Sequence, residues 1–288
     1  MRRKNRGKQT LKKKMLSILL LSAMSSILAV VIVSYMTIRM IQNDGIKESM
    51  QIYLEQITRE MDSDYYDMIG IVNQMSPDGL IGSATERYLS SNDNYDRYLE
   101  QKFLREELIK LGYVNTKLLG ITYYDPKEQK ELIGNFNVRV LDPTYQTISK
   151  VVVGADNTIQ AMHDSYLGIK ETPVVSVMRR VSFGNQKMLD IYAEIEPDMS
   201  VSDQLNKEKW PYTYMEMDEN GIVQYSNNPV IVRGQKILSE LPKKEGYAVT
   251  NQEGYKIMVY RSTIGYANAI ALPENIYQKE MNLSLIHI

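Results

Sequence analysis

The chain has 288 residues, of which 43% are hydrophobic, and its formal net charge is −1. A chain of this length can bury one large core or two small ones. It contains no cysteine, which excludes a disulfide scaffold and cysteine-based metal or nucleophile chemistry. The first 14 residues hold eight Lys or Arg and no acid, so the remainder holds 26 bases against 35 acids. This acidic remainder argues against a nucleic-acid partner, because phosphate binding needs clustered bases.

An uncharged apolar segment, residues 15–38, follows the basic tail, and 12 of its 24 residues are Leu, Ile or Val. As a helix it would be about 36 Å long, enough to cross a hydrocarbon core of about 30 Å. The alternative is a cleaved signal peptide, but its apolar core spans only about 7–15 residues, and this run continues to Ile38. The segment therefore predicts a membrane helix. The positive-inside rule predicts that residues 1–14 are cytoplasmic and that residues 39 onward are extracytoplasmic.

A helical repeat of apolar residues continues beyond the membrane segment. The repeat advances by three or four residues at a time, through Ile46, Met50, Tyr53, Ile57, Met61, Tyr65, Met68, Val72 and Met75. It predicts a helix of about 50 Å that extends the membrane helix outward and packs on the protein's own sheet. Its nearly heptad spacing also suggests a homodimer contact in the membrane-proximal turns. The turn cluster SPDGLIGS (76–83) should end this helix, and Gly112 should end a second helical stretch.

Strand patterns begin at Leu118. The segments LLGITYYDPKEQKELIGN and YTYMEMDENGIVQYSN each consist of a strand, a polar turn and a return strand. The segments VVSVMRRVSFGNQKMLDIYAEIEP and YKIMVYRSTIGYANAIALPENIY each consist of a hairpin followed by a proline-initiated helix. This repeated order predicts an internal duplication of an α+β module.

This order of elements resembles the double Cache (PAS-like) sensor region of bacterial receptors, over about residues 40–281. The basic tail, the anchor and the double module are most similar to those of two-component sensor histidine kinases. Chemoreceptors and cyclic-dinucleotide enzymes carry the same sensor, and a stand-alone anchored extracellular binding protein is a further alternative. The resemblance implies a small-molecule ligand, and the charged side chains of the candidate site described below would suit an amino acid or a similar small metabolite. It also implies a membrane location, a homodimer, and a response regulator reached through a cytoplasmic half.

The predicted fold class is α+β, with a transmembrane helix that continues into a long helix and then two tandem PAS-like modules. The predicted segments are a cytoplasmic tail (1–14), a transmembrane helix (15–38), a helical region (39–111), a membrane-distal module (112–205), a membrane-proximal module (206–272), an exit helix (273–282) and a terminal hexapeptide (283–288). The exit helix should lead to a second span that this sequence lacks. The hexapeptide LSLIHI also matches the translation of a transposon adapter used in DNA library preparation. We therefore expect a truncated chain whose last six residues are not native.

The sequence contains none of the catalytic motifs considered. His163 and His287 are the only histidines, and they do not form H-E-x-x-H. The G-x-S-x-G elbow and the phosphate-binding P-loop are also missing. Neither a phospho-accepting histidine in a dimerising helix nor an ATP-binding segment of a kinase is present. We expect no cofactor and no metal site in this stretch, and any enzyme activity would belong to a longer parent protein.

The hairpin 174–195 holds the main candidate ligand site. A loop of residues 183–186 would place Arg179 opposite Asp190 and Val177 opposite Tyr192. The resulting face would be mixed, as in small-molecule pockets, with Arg179 binding a carboxylate and Asp190 an amine. The alternative is a cross-strand ion pair on a solvated face, which contributes about 0.2–1 kcal/mol. Tyr123 and Arg139, from the same module, are further candidates. The complete candidate set is Arg179, Asp190, Tyr192, Tyr123 and Arg139.

Overall fold

The computed structural model describes residues 3–134, 156–167, 173–184, 186–197, 212–218, 220–238, 241–242, 246–252 and 254–279. Its helices are α1 (Arg3–Met75), α2 (Leu80–Ser90), α3 (Asn94–Val114) and a short α4 (274–279). Its strands are β1 (Leu118–Asp125), β2 (Lys130–Gly134), β3 (Thr158–His163), β4 (Val174–Phe183), β5 (Lys187–Ile195), β6 (Thr213–Met217), β7 (Val223–Ser226), β8 (Gly246–Gln252), β9 (Tyr255–Arg261) and β10 (Ala267–Pro273). The chain divides into two compact units, one of residues 1–50 and 274–288 and the other of residues 51–273.

The first unit contains the apolar part of α1. Among the described residues, one helix near the N-terminus is long and apolar enough to cross a membrane, and its most apolar 18-residue window has a mean hydropathy of 2.6 with no buried residue. Helix α4 lies beside α1 just after this apolar part. The Tyr277 hydroxyl donates to Asn43 Oδ1, and Arg39 Nη2 donates to Gln278 Oε1 at 3.4 Å. The segment after β10 therefore runs alongside α1 next to the predicted membrane segment.

The second unit contains two antiparallel five-stranded sheets. The first sheet has the order β2-β1-β5-β4-β3, and the second has the order β7-β6-β10-β9-β8. The two orders are equivalent strand for strand, which agrees with the predicted internal duplication. The long leading helix and the two antiparallel sheets confirm the predicted α+β class.

Helix α1 packs on both sheets within the second unit. Asn268 Nδ2 of β10 donates to Thr58 Oγ1 at 2.9 Å, and the Tyr123 hydroxyl of β1 donates to the Met75 carbonyl oxygen. Between these contacts, the predicted apolar stripe is buried along one side of the helix, at Ile57, Met61, Tyr65, Met68, Val72 and Met75. A single helix therefore contacts both sheets, and each sheet has one face toward α1 and one face away from it, which we call the remote face.

Two helix ends differ from the sequence prediction. α1 ends at Met75 as predicted, but α2 already begins at Leu80, so the second half of the predicted turn cluster is helical. Helix α3 continues two residues past the predicted stop at Gly112. A single glycine costs a helix only about 1 kcal/mol relative to alanine, which the packing of the helix can offset.

Candidate ligand-binding site

The turn of hairpin β4–β5 is shorter than predicted. Phe183 pairs with Lys187, so the loop holds three residues, 184–186, instead of four. Gln186 has a φ of 57°, in the left-handed region. A three-residue loop whose last residue is left-handed is a common hairpin connection. The predicted register is therefore wrong by one residue.

The shorter loop changes which arginine faces Asp190. Arg180 lies opposite Asp190, whereas Arg179 lies opposite Ile191. The predicted pairing of Arg179 with Asp190 is wrong because a shift of one residue moves side chains to the other face. Arg180 Nε and Nη2 donate to the two oxygens of Asp190 at 2.6 and 2.8 Å. The Asp190 side chain is 0% exposed, and its hydrogen bond to Arg180 raises the pKa of that guanidinium.

The other predicted site residues divide between the two faces of the first sheet. Arg179 and Tyr123 lie on the face toward α1, where Arg179 Nη1 donates to Asn73 Oδ1 at 3.0 Å. Tyr123 is buried there, and burial raises the pKa of its hydroxyl. Tyr192 lies with Asp190 on the remote face, two residues further along β5. Arg139 lies outside the described residues, and ligand binding by this set stays a prediction.

Glu194 is the centre of a hydrogen-bond network on the remote face that the sequence prediction missed. Its carboxylate accepts from Ser165 Oγ and the Tyr166 backbone N–H at 2.7 Å each, and from the Leu167 N–H at 3.3 Å. The Tyr192 hydroxyl donates to it as well. Burial raises the pKa of Glu194, and burial together with the nearby Glu194 charge raises that of Tyr192. The network ties the segment after β3 to the C-terminal end of β5.

His163, at the end of β3, belongs to the same surface. Its Nε2 lies 2.8 Å from Ser176 Oγ of β4, and its Nδ1 lies 2.7 Å from the Asp164 carbonyl oxygen. The ring stacks on Tyr166 with a centroid distance of 4.3 Å. Burial lowers the pKa of His163 to about 4, so the imidazole is neutral at neutral pH. Within the described part of the chain, no three His, Asp or Glu side chains are grouped as a metal site would require.

The sequence carries only a weak signal for this network. Glu194 and Asp190 alternate with apolar residues in β5, and that pattern also fits an ordinary sheet with one solvated face. The structure shows that both carboxylates are fully buried. Burial of a charged group disfavours folding unless the group is paired, so buried carboxylates on one face mark a candidate site.

The two sheets differ sharply on their remote faces. In β5, a central strand of the first sheet, this face carries Asp190, Tyr192 and Glu194. In β10, the equivalent strand of the second sheet, it carries Ala267, Ala269 and Ala271. These alanines lie in an apolar cluster with Ile231, Ile237 and Leu238. The second sheet therefore has an apolar core where the first sheet has buried polar and charged side chains.

Comparison with known proteins identifies the fold. No protein-family model matches the sequence, and no curated protein matches it significantly. Solved structures do match. The ligand-binding domain of Mlp24 with asparagine superposes with a TM-score of 0.53 at 12% identity, over 85% of this chain and 99% of that domain.

Two further matches are extracellular domains of candidate histidine kinases. That of rpHK1S-Z16 has a TM-score of 0.52 at 14% identity, over 82% of this chain and 96% of its own. That of vpHK1S-Z8 has a TM-score of 0.53 at 10% identity, over 83% and 98%. At these identities the likeness concerns the fold alone, which is the α+β double Cache-like fold, with a helix leading in, that the sequence resemblance implied.

Proposed function

We propose that this chain is the ligand-sensing region of a two-component sensor histidine kinase. In this proposal residues 1–14 are cytoplasmic, residues 15–38 cross the membrane and the sheets lie outside the cell. The receptor works as a homodimer and signals to a response regulator through a cytoplasmic half. The proposal is supported by the double Cache fold, by the apolar N-terminal helix and by the solved domains named above.

The polar remote face of the first sheet is the observation that carries the proposed ligand site. Small-molecule sites combine apolar walls with a few convergent polar groups. The Arg180–Asp190 pair and the Glu194 network supply such groups, whereas the equivalent face of the second sheet is apolar. An arginine suits a ligand carboxylate and an aspartate suits an ammonium group. An amino acid or a similar small metabolite fits both, and the Mlp24 domain was solved with asparagine.

The contacts of α4 suggest how ligand binding reaches the membrane. β10 leads directly into α4, which bonds to α1 at Asn43 next to the predicted membrane segment. A ligand that favours one arrangement of the first module would shift the population of the α1–α4 pair. A ligand that bound both arrangements equally would transmit no signal.

A thermal-shift screen with a matched pair of variants tests the ligand site. The full chain in detergent micelles would be screened against L-amino acids, small carboxylates and small amines. A ligand at 100 times its Kd should stabilise the protein by about 2.7 kcal/mol. Arg180→Gln should abolish this stabilisation, whereas Arg179→Gln, the same change on the opposite face, should retain it. Loss in Arg179→Gln alone, or in neither variant, would place the ligand elsewhere.

Genomic sequencing tests which cytoplasmic signalling domain follows the proposed sensing region. Sequencing the genomic DNA beyond the codon for Asn282 should reveal a second apolar span followed by a histidine kinase domain. A chemoreceptor signalling domain or a cyclic-dinucleotide enzyme domain at that place would replace the kinase in the proposal. A stop codon there would favour a stand-alone binding protein.

A further inference from the structure

Glu216 joins three elements of the second unit. It lies in β6 on the face toward α1 and is fully buried. Its Oε2 accepts a hydrogen bond from the Met162 backbone N–H of β3 at 2.7 Å, and its Oε1 lies 3.2 Å from the Tyr65 hydroxyl of α1. The Tyr65 hydroxyl also lies 3.2 Å from the Gln160 carbonyl oxygen of β3. Glu216 and Tyr65 thus link the edge strand of the first sheet to the second sheet and to α1.

The Tyr65 hydroxyl has two oxygen neighbours but only one proton to donate. When Glu216 is ionised, both of its oxygens can only accept, so the Tyr65 proton must point to Glu216 to satisfy it. A hydrogen bond to a charged group is about twice as strong as one between neutral groups, which favours this choice. The Gln160 carbonyl oxygen then loses its bond from Tyr65.

Protonation of Glu216 reverses the hydrogen bond to Tyr65. The Met162 N–H already donates to Oε2, so the added proton belongs on Oε1, which donates to the Tyr65 oxygen. Tyr65 can then donate its own proton to the Gln160 carbonyl oxygen, 3.2 Å away. The protonated form therefore makes one more hydrogen bond to β3 than the ionised form does.

We propose that Glu216 is a proton-dependent coupling residue between the two modules, whose protonation state sets how firmly β3 is held to the second sheet and α1. β3 is hydrogen-bonded to β4, the strand that carries Arg180. In the receptor of the proposed function, on which this consequence rests, the response to a ligand in the first module would depend on pH.

The surroundings of Glu216 set its titration near neutral pH. Burial raises its pKa to about 7, against the hydrogen bonds from Met162 and Tyr65 that lower it. The titratable groups facing it are phenols from α1, β6 and the segment before β10, namely Tyr65, Tyr214 and Tyr266. The other titratable groups nearby have different partners. Asp62 accepts a hydrogen bond from the Tyr266 hydroxyl at 2.7 Å. His163 contacts Ser176, and the charge of Arg233 contributes to lowering its pKa.

The sign of the pH effect follows from the raised pKa. Between the ordinary pKa of a glutamate, 4.5, and about 7, the folded protein holds a proton that the unfolded chain has released. The stabilising contribution of the protonated group is complete below the lower value and is lost as pH rises through about 7. Gln160 and Tyr266 also line a cleft of about 430 Å³.

The variant Glu216→Gln tests the proposal because its amide imitates the protonated carboxyl in shape and hydrogen bonding. Its oxygen can accept from Met162 and its N–H can donate to Tyr65. The experiment uses the full chain in detergent micelles without ligand, between pH 5 and pH 8.5. The two Tm values should lie closest at pH 5, and the advantage of the variant should grow up to about pH 7 and level off above it.

Two further readouts make the result specific. In wild type the infrared band of a protonated carboxyl should disappear around pH 7, and Glu216→Gln should lack that titrating band. At pH 8, hydrogen exchange in residues 158–163 should be about ten-fold or more slower in Glu216→Gln than in wild type, since each pKa unit corresponds to a factor of ten. At pH 5 the two exchange rates should agree.

The proposal is overturned if the Tm difference between the two proteins does not change with pH or if the carboxyl band does not titrate. If Glu216→Gln fails to fold, Tyr65→Phe provides the second test. It removes the bond to Gln160 that only the protonated form makes, so the exchange of β3 should be fast at pH 5 as well. These measurements need no ligand, so a failed ligand screen would count against the proposed function and leave this inference standing.

Discussion

Asp190 has both carboxylate oxygens bound by Arg180, and its side chain is fully buried. Replacing it with alanine leaves the partly buried guanidinium without its charged partner. We predict that Asp190→Ala lowers the free energy of unfolding by about 2 kcal/mol, the scale of hydrogen bonds to charged groups. Urea unfolding of the full chain, followed by tyrosine fluorescence, measures the change.

Arg179→Ala is the matched control on the same hairpin. Its guanidinium bonds to Asn73, which is exposed on α1. Loss of such an exposed contact should cost less than about 1 kcal/mol. If Arg179→Ala were the more damaging change, the observed register of β4 and β5 would be contradicted.

At the scale of helices, two glycines provide opposite predictions. Gly70 lies in α1, and a Cβ placed on it would have no atom within 4 Å. Alanine there adds no clash and reduces the backbone freedom of the unfolded chain. We predict that Gly70→Ala raises the free energy of unfolding by about 0.5–1 kcal/mol. A urea titration against wild type is sufficient to detect this gain.

Gly82 in α2 should respond in the opposite direction. A Cβ on this residue would lie 1.8 Å from the Ser76 carbonyl oxygen, which is backbone and cannot turn aside. Gly82→Ala should therefore destabilise the protein by about 1–3 kcal/mol through overpacking. A neutral result would show that α2 can move away from the end of α1.

The strands show how much of the fold can be predicted from the sequence alone. The strand patterns placed β1, β2, β4, β5, β6, β7, β9 and β10 correctly, because each of these strands pairs with a neighbour in the chain through a short turn. β3 and β8 were missed because both are edge strands and few of their described side chains are buried, so their hydrophobic periodicity is weak. The register of β4 and β5 was wrong because a three-residue and a four-residue loop differ only in the backbone angles that residues such as Gln186 adopt.

The same limit applies to the candidate site. Asp190 and Tyr192 were predicted on a shared face, and the structure brings them together. The hydrogen-bonding roles of Glu194 and His163 were missed because their partners, such as Ser165 and Ser176, come from strands and turns whose packing no local pattern specifies. Glu216 was missed for the same reason, since Met162 and Tyr65 are far from it in sequence.

At the scale of the whole molecule, the orientation in the membrane can be tested with single cysteines. The chain has no native cysteine, so each introduced thiol is unique. Tyr113 is 80% exposed and suits labelling. We predict that a membrane-impermeant maleimide labels Tyr113→Cys on intact cells. Gln9→Cys, in the basic tail, should react only after permeabilisation. The reverse pattern would contradict the proposed orientation.

The hydrogen bonds at the outer side of β3 have a consequence for solubility. An edge strand has unpaired N–H and C=O groups that can pair with a strand of another molecule, and such pairing is a common cause of aggregation. Here the Met162 N–H is covered by Glu216 and the Gln160 carbonyl oxygen by Tyr65. Side chains of the second sheet and of α1 thus occupy the edge of β3 at which another strand would otherwise pair. Alkaline conditions or mutations that loosen this cover should expose β3, and two opened copies could then pair edge to edge.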